Sequence, residues 1–143
     1  MCGFGVFAMI MRLLQIAGVV GICLIIVLSL VPGPYRPHTG APGNLEHFVA
    51  YALTALVLAW GWRSPAQWVG IIITLFLLAS GLELAQSLVP GRSGHWMTAV
   101  VSGFGAIAGA SLGVIGLWTL GFFLRRPART AAAHSLSKQG HRL

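Results

Sequence analysis

The sequence predicts an all-α fold: a polytopic membrane protein, a four-transmembrane-helix bundle with both termini cytoplasmic. Three observations predict it. The first is composition. Of 143 residues, 57% are of the apolar class and only 8% are charged, whereas a soluble domain carries about a quarter charged residues. So few charges cannot clothe a water-facing surface, which leaves lipid as the solvent for most of the chain. The second is the spacing of the apolar runs. They approach spanning length and are separated by short breaks rich in Pro and Gly. The third is the placing of the basic residues. Arg12, Arg63, Arg125, Arg126, Arg129, Lys138 and Arg142 fall at the termini and one turn, and only Arg36 and Arg92 fall at the other two turns. Lys and Arg accumulate in cytoplasmic loops, so this split puts the termini and the Arg63 turn inside.

The first helix is expected over 13–31, after Arg12. A basic residue before an apolar run also opens a signal peptide. This run is near full spanning length, about 20 residues, and it ends in Val31, Pro32, Gly33 and Pro34 rather than at a small-residue cleavage site. An uncleaved helix follows. Residues 1–11 read as an upstream extension, since Met9 and Met11 are alternative starts. The next stretch, with Pro32, Pro34, Pro37 and Pro42 among Gly33, Gly40 and Gly43, is a loop, because no helix tolerates that density of Pro and Gly.

The second helix is expected over 45–62. Asn44 reads as its cap and Glu46 as a first-turn acid suited to the helix dipole. It is short for a span, so either local thinning of the bilayer or anchoring by Trp60 and Trp62 at the interface is expected. Ser64 followed by Pro65 opens a third helix over 65–88, with Ser at the cap and Pro at the first helical position. Pro90 and Gly91 end it. A fourth helix is expected over 96–124, and residues 125–143 form a basic, disordered cytoplasmic tail.

The whole chain has two acids, Glu46 and Glu83. Glu83 lies seven residues before Pro90, about 10 Å below the helix end at 1.5 Å per residue. An ionisable group at that depth is a functional-site hypothesis by default. Ser80, Glu83, Gln86 and Ser87 share one helical face, and His47, Tyr51 and Thr54 make a stripe on the second helix. A polar cluster is therefore expected at the outer ends of the second to fourth helices: Glu46, His47, Tyr51, Glu83, Gln86 and Arg92, with Arg36 as a further candidate. The duller readings stand beside it. Glu46 serves equally as a dipole partner, Glu83 and Gln86 as interhelical hydrogen-bonding glue, and Arg92 as a headgroup contact.

Other signals are weaker. Gly105, Gly109 and Gly113 form a GxxxGxxxG stripe for close helix packing, with its partner in the same chain or in a second copy. Cys2 and Cys23 have no ligand spacing, so neither a disulfide nor a metal site is expected. Ile22 before Cys23 is wrong for a lipoprotein cysteine. The basic balance, 9 Lys and Arg against 2 acids, lacks the interleaved aromatics that would argue for nucleic acid.

The segments RPHTGAPGNLEHFVAY (36–51), ELAQSLVPGRSGHW (83–96) and GFGAIAGASLG (103–113) resemble, in order and spacing, the VanZ-like membrane proteins. The resemblance covers residues 12–124. Glu46, His47, Phe48, Tyr51, Glu83, Gln86, Pro90, Gly91 and Arg92 match the family pattern. Thr98 and Ser102 stand where the family commonly has Asp and Asn. The resemblance implies a multi-pass bacterial inner-membrane protein of the cell envelope, of a kind whose namesake is linked to reduced teicoplanin susceptibility.

Three functions are compatible with these residues. The first is a non-enzymatic envelope factor whose polar cluster meets a lipid, a cell-wall precursor or a glycopeptide antibiotic. The second is a small membrane enzyme using Glu83, or Glu46 with His47, as acid or base on an envelope lipid. The third is a transport component oligomerising through the fourth helix. No cofactor is expected. The absence of a nucleophile motif or metal-ligand set, and of any sizeable extramembrane segment, favours the first.

Overall fold

The computed structural model describes residues 2–32, 35, 40–89 and 94–140, without the side chains of 2–4 and 124–140. Four α-helices follow in order: α1 (Cys2–Leu30), α2 (Gly43–Gly61), α3 (Pro65–Gln86) and α4 (Trp96–Gly140). No strand occurs among the described residues. Among the described residues, three stretches are long and apolar enough to cross a membrane: Gly5–Leu30, Pro65–Gln86 and Trp96–Phe123. By length and composition this is a membrane protein. Leu13, Ile16, Val20, Leu24 and Val27 of α1 are all exposed, a surface that only lipid solvates without penalty.

Several expected boundaries move. α1 begins at Cys2 rather than at residue 13, because the extension is itself apolar and free of Pro, so nothing in it stops a helix. α2 is capped by Pro42, not Asn44: the Pro42 carbonyl accepts from the N–H groups of Leu45 and Glu46, at 2.9 and 3.2 Å. α3 stops at Gln86, two residues early, and Leu88 and Val89 close a turn onto the Ala85 and Gln86 carbonyls. In α4 the helical backbone continues across 125–140, where an unstructured tail is expected.

Ser64 caps α3 and Pro65 opens it, as expected, and Gln67 completes the cap. The Ser64 side chain accepts from the Gln67 N–H at 3.2 Å, and the Gln67 side chain accepts from the Ser64 N–H at 3.1 Å. With Pro65 in the first turn, this reciprocal cap satisfies two donors that a helix start would otherwise leave bare. The end of α2 is tied to the same turn. The Trp68 indole N–H donates to the Trp62 carbonyl at 2.6 Å and to that of Ala59 at 3.2 Å.

α2 is the central helix. Toward α1 it meets two glycines: a side chain at Gly18 would strike Leu58, and one at Gly21 would strike Thr54. The Gln15 amide donates to the Gly61 carbonyl at 3.0 Å, and the Arg63 guanidinium lies 5.0 Å from the Phe7 ring centre. Toward α4 it meets the glycine stripe. Gly105 lies on the Phe48 carbonyl and Gly109 on the Ala52 carbonyl, and a methyl at Gly113 would sit 2.9 Å from the Ala59 methyl. The Trp60 indole N–H donates to the Gly113 carbonyl at 3.0 Å. The partner of the stripe is thus α2 of the same chain, so self-association through α4 would have to use another face.

The buried core is built mainly of small residues around a few large ones: Ile25 of α1, Tyr51, Ala55 and Leu58 of α2, Leu75, Ala79 and Leu82 of α3, and Ala99, Ala106 and Ala110 of α4. Lipid tails are as apolar as leucine, so helices in a bilayer associate through close van der Waals packing, for which small residues are suited. Residues 114–140 form a separate unit. Within it the Phe122 and Phe123 rings meet edge to face, with centres 6.0 Å apart.

Candidate functional site

Glu83 lies three residues before the end of α3 and is 9% exposed. Its carboxylate accepts from the backbone N–H of His95 at 2.7 Å. His95 immediately precedes α4, and its carbonyl accepts from the Thr98 N–H at 2.8 Å, closing the first turn of that helix. Glu83 thus supplies from α3 an acceptor that the start of α4 requires. The charge meets the positive end of the α4 dipole, and the short distance is that of a charge-assisted bond. Gly94 makes the approach possible, since any side chain there would collide with the Glu83 main-chain carbonyl.

Two further polar side chains of α2 and α3 are buried. Tyr51 of α2, 1% exposed, lies within electrostatic reach of Glu83. Gln86, one turn further along α3, is 3% exposed, and its side-chain nitrogen has no hydrogen-bond partner among the described residues. An unsatisfied buried donor costs about 1–3 kcal/mol, and such groups in a folded chain call for an explanation. The other two members of the expected α3 face are not part of this group. Ser80 and Ser87 are exposed, and their hydroxyls donate to carbonyls of their own helix, Phe76 at 3.0 Å and Leu84 at 2.6 Å.

Glu46 and His47 are half-buried and line a groove of about 560 Å³ between α1 and α2. Tyr51 lines the same groove. Thr54, the last member of the α2 stripe, is buried at the groove floor against Gly21. Arg36 and Arg92, together with Pro90 and Gly91, lie outside the described residues. Among the described residues no three His, Cys, Asp or Glu side chains come together in a set that could hold a metal.

The two positions that depart from the VanZ-like pattern have structural partners. The Thr98 hydroxyl donates to the Asn44 side-chain oxygen at 3.2 Å, tying α4 to α2. The Ser102 hydroxyl, on a residue 1% exposed, folds back onto the Thr98 carbonyl at 2.8 Å. Sequence reasoning missed the Asn44–Thr98 bond because it spent Asn44 as a cap. It also missed Gly94 and the His95 N–H. The signal available was the short α3–α4 turn, which brings the two helix ends together and leaves the N–H groups of α4 in need of an acceptor. No family model, curated protein or solved structure matches the chain.

Proposed function

We propose that this chain is a four-span, VanZ-like protein of the bacterial inner membrane. Its termini and Arg63 turn are cytoplasmic, and it works as a non-enzymatic cell-envelope factor through the polar groups at its outer end. The single observation that carries the reading is the burial of Tyr51, Glu83 and Gln86 in an apolar bundle, with the Gln86 amide nitrogen unpartnered among the described residues. That amide is a donor for an acceptor group on a lipid, a cell-wall precursor or a lipophilic antibiotic.

The span count is supported by length and by neighbours. α2 has 19 residues, about 28 Å at 1.5 Å per residue, against a hydrocarbon core of about 30 Å. It is not among the three stretches apolar enough to span on composition alone, but partners line it, so its polar residues need not face lipid. The non-enzymatic reading is supported by the engagement of Glu83 on the His95 N–H. One oxygen of this carboxylate holds the end of α3 to the start of α4, a structural role that needs no chemistry.

The test is Glu83→Gln against wild type in a deletion strain. Three readouts apply: membrane accumulation, monodispersity in detergent, and susceptibility to envelope-targeting antibiotics. A variant that accumulates and stays monodisperse yet fails to complement places Glu83 in a working site. A variant that is lost or aggregates makes Glu83 a structural tie, and a variant that complements fully overturns the reading.

A further inference from the structure

The apolar stretch Trp96–Phe123 of α4 is long enough to cross a membrane, and the helical backbone continues past it to Gly140. Arg125, Arg126 and Arg129 follow at once, and Lys138 comes further on. At 1.5 Å per residue, Arg125 lies about 3 Å past Phe123 and Arg129 about 9 Å past it. The polar headgroup layer on each face of a bilayer is about 5–7 Å deep. The three arginines therefore meet the layer of phosphates as the helix leaves the hydrocarbon. At about 100° per residue they also fall within about 100° of one another around the helix axis. A helical backbone fixes both the depth and the arc, which an unstructured tail would leave free. No acid occurs after Glu83, so the segment holds no counter-charge of its own.

We propose that residues 125–140 bind the anionic phospholipid headgroups of the leaflet from which they emerge, with Arg125, Arg126 and Arg129 as the phosphate contacts. A guanidinium presents paired N–H donors that match phosphate oxygens, and basic clusters just past a membrane span are drawn to anionic lipid. A membrane surface fits better than nucleic acid for two reasons. The span keeps the segment against the leaflet at all times, and no aromatic residue stands among the basic ones to stack on bases. Pro127 has no N–H for the Phe123 carbonyl, so the helix lacks one bond where the span ends and bends there most readily. A bend at that point lays the following residues along the surface. This rests on the reading that α4 spans the membrane.

The test is the full chain reconstituted in lipid nanodiscs, with one environment-sensitive fluorophore on Ser135→Cys and with Cys2 and Cys23 replaced by Ser. The discs are of phosphatidylcholine alone, or of phosphatidylcholine and phosphatidylglycerol in equal amounts. Blue-shifted emission, several-fold brighter, is expected in the anionic discs only. It is expected to fall to the phosphatidylcholine level as salt rises from about 0.1 M to about 1 M, which shortens the screening length from about 10 Å to about 3 Å. Arg125→Gln, Arg126→Gln and Arg129→Gln together are expected to abolish the response while far-ultraviolet circular dichroism stays unchanged. Equal emission in the two discs, a response that survives high salt, or one that survives the triple replacement would overturn the inference. So would displacement of the label from the anionic discs by a double-stranded oligonucleotide, which would make nucleic acid the preferred partner. A disc exposes both faces, so a reversed topology leaves these outcomes unchanged. None of them touches the Glu83 complementation result, so the two readings fail separately.

Discussion

Gly109→Ala probes the contact on which the bundle most depends. The methyl added by this change lands on the Ala52 carbonyl oxygen, 2.6 Å from the carbonyl carbon and 2.8 Å from the Ala52 Cα. Ordinary contact begins at 3.4 Å, so α2 and α4 must separate by about 1 Å at that level. The obstacle is backbone, which cannot rotate away as a side chain would. Overpacking of this kind costs about 1–3 kcal/mol, and the better helix propensity of Ala offsets about 0.5–1 kcal/mol of it. A net loss of about 1–2 kcal/mol is expected. Gly81→Ala in α3 is the control, because nothing lies within 4 Å of its added methyl. There the propensity gain acts alone, and stability should rise by about 0.5–1 kcal/mol. Equilibrium unfolding in mixed detergent micelles, followed by circular dichroism, measures both. If Gly109→Ala is as stable as wild type, or the two alanines behave alike, the close α2–α4 packing is wrong.

Glu83→Ala removes the acceptor for the His95 N–H and should cost about 1–3 kcal/mol. Glu83→Gln keeps an oxygen there and should cost less, and the same unfolding assay ranks the two. Ser64→Ala breaks the α3 cap and should cost about 1 kcal/mol, read as a lower unfolding midpoint with unchanged complementation. Sidedness is tested by single cysteines at Ala41 and Ser64 in a chain whose Cys2 and Cys23 are replaced by Ser. A membrane-impermeant maleimide should label Ala41→Cys on intact spheroplasts and Ser64→Cys only after permeabilisation. Labelling of both from one side would mean that α2 does not cross.

The helix order and the Ser64 start were legible because they rest on local chemistry. Pro and Gly interrupt helices wherever they cluster, and a Ser-Pro start satisfies a donor within its own turn and fixes the first helical φ. The α2 start was not legible in the same way. Asn44 is a good cap by type, but its side-chain oxygen is taken by Thr98, fifty-four residues away. A local rule has no knowledge of such a competitor. Likewise Ser80 and Ser87 share a helical face with Glu83, yet periodicity does not say which of them a neighbouring helix covers. The conspicuous acids were found by depth and rarity. What held Glu83 was a backbone N–H, which every residue but Pro carries and no sequence pattern marks.

The sequence by itself determined the solvent, the helical class and the turns. Charge count and apolar run length are properties of the chain, and a bilayer leaves it only helices or closed barrels. Tertiary structure alone decided who meets whom. It turned the glycine stripe of α4 onto α2 instead of a second copy. It put α2, which carries Glu46 and His47, where the other helices line it. It seated Glu83 on the α4 start and opened a groove between α1 and α2. Each of these depends on how close two backbones come, a distance set by side chains from both partners at once.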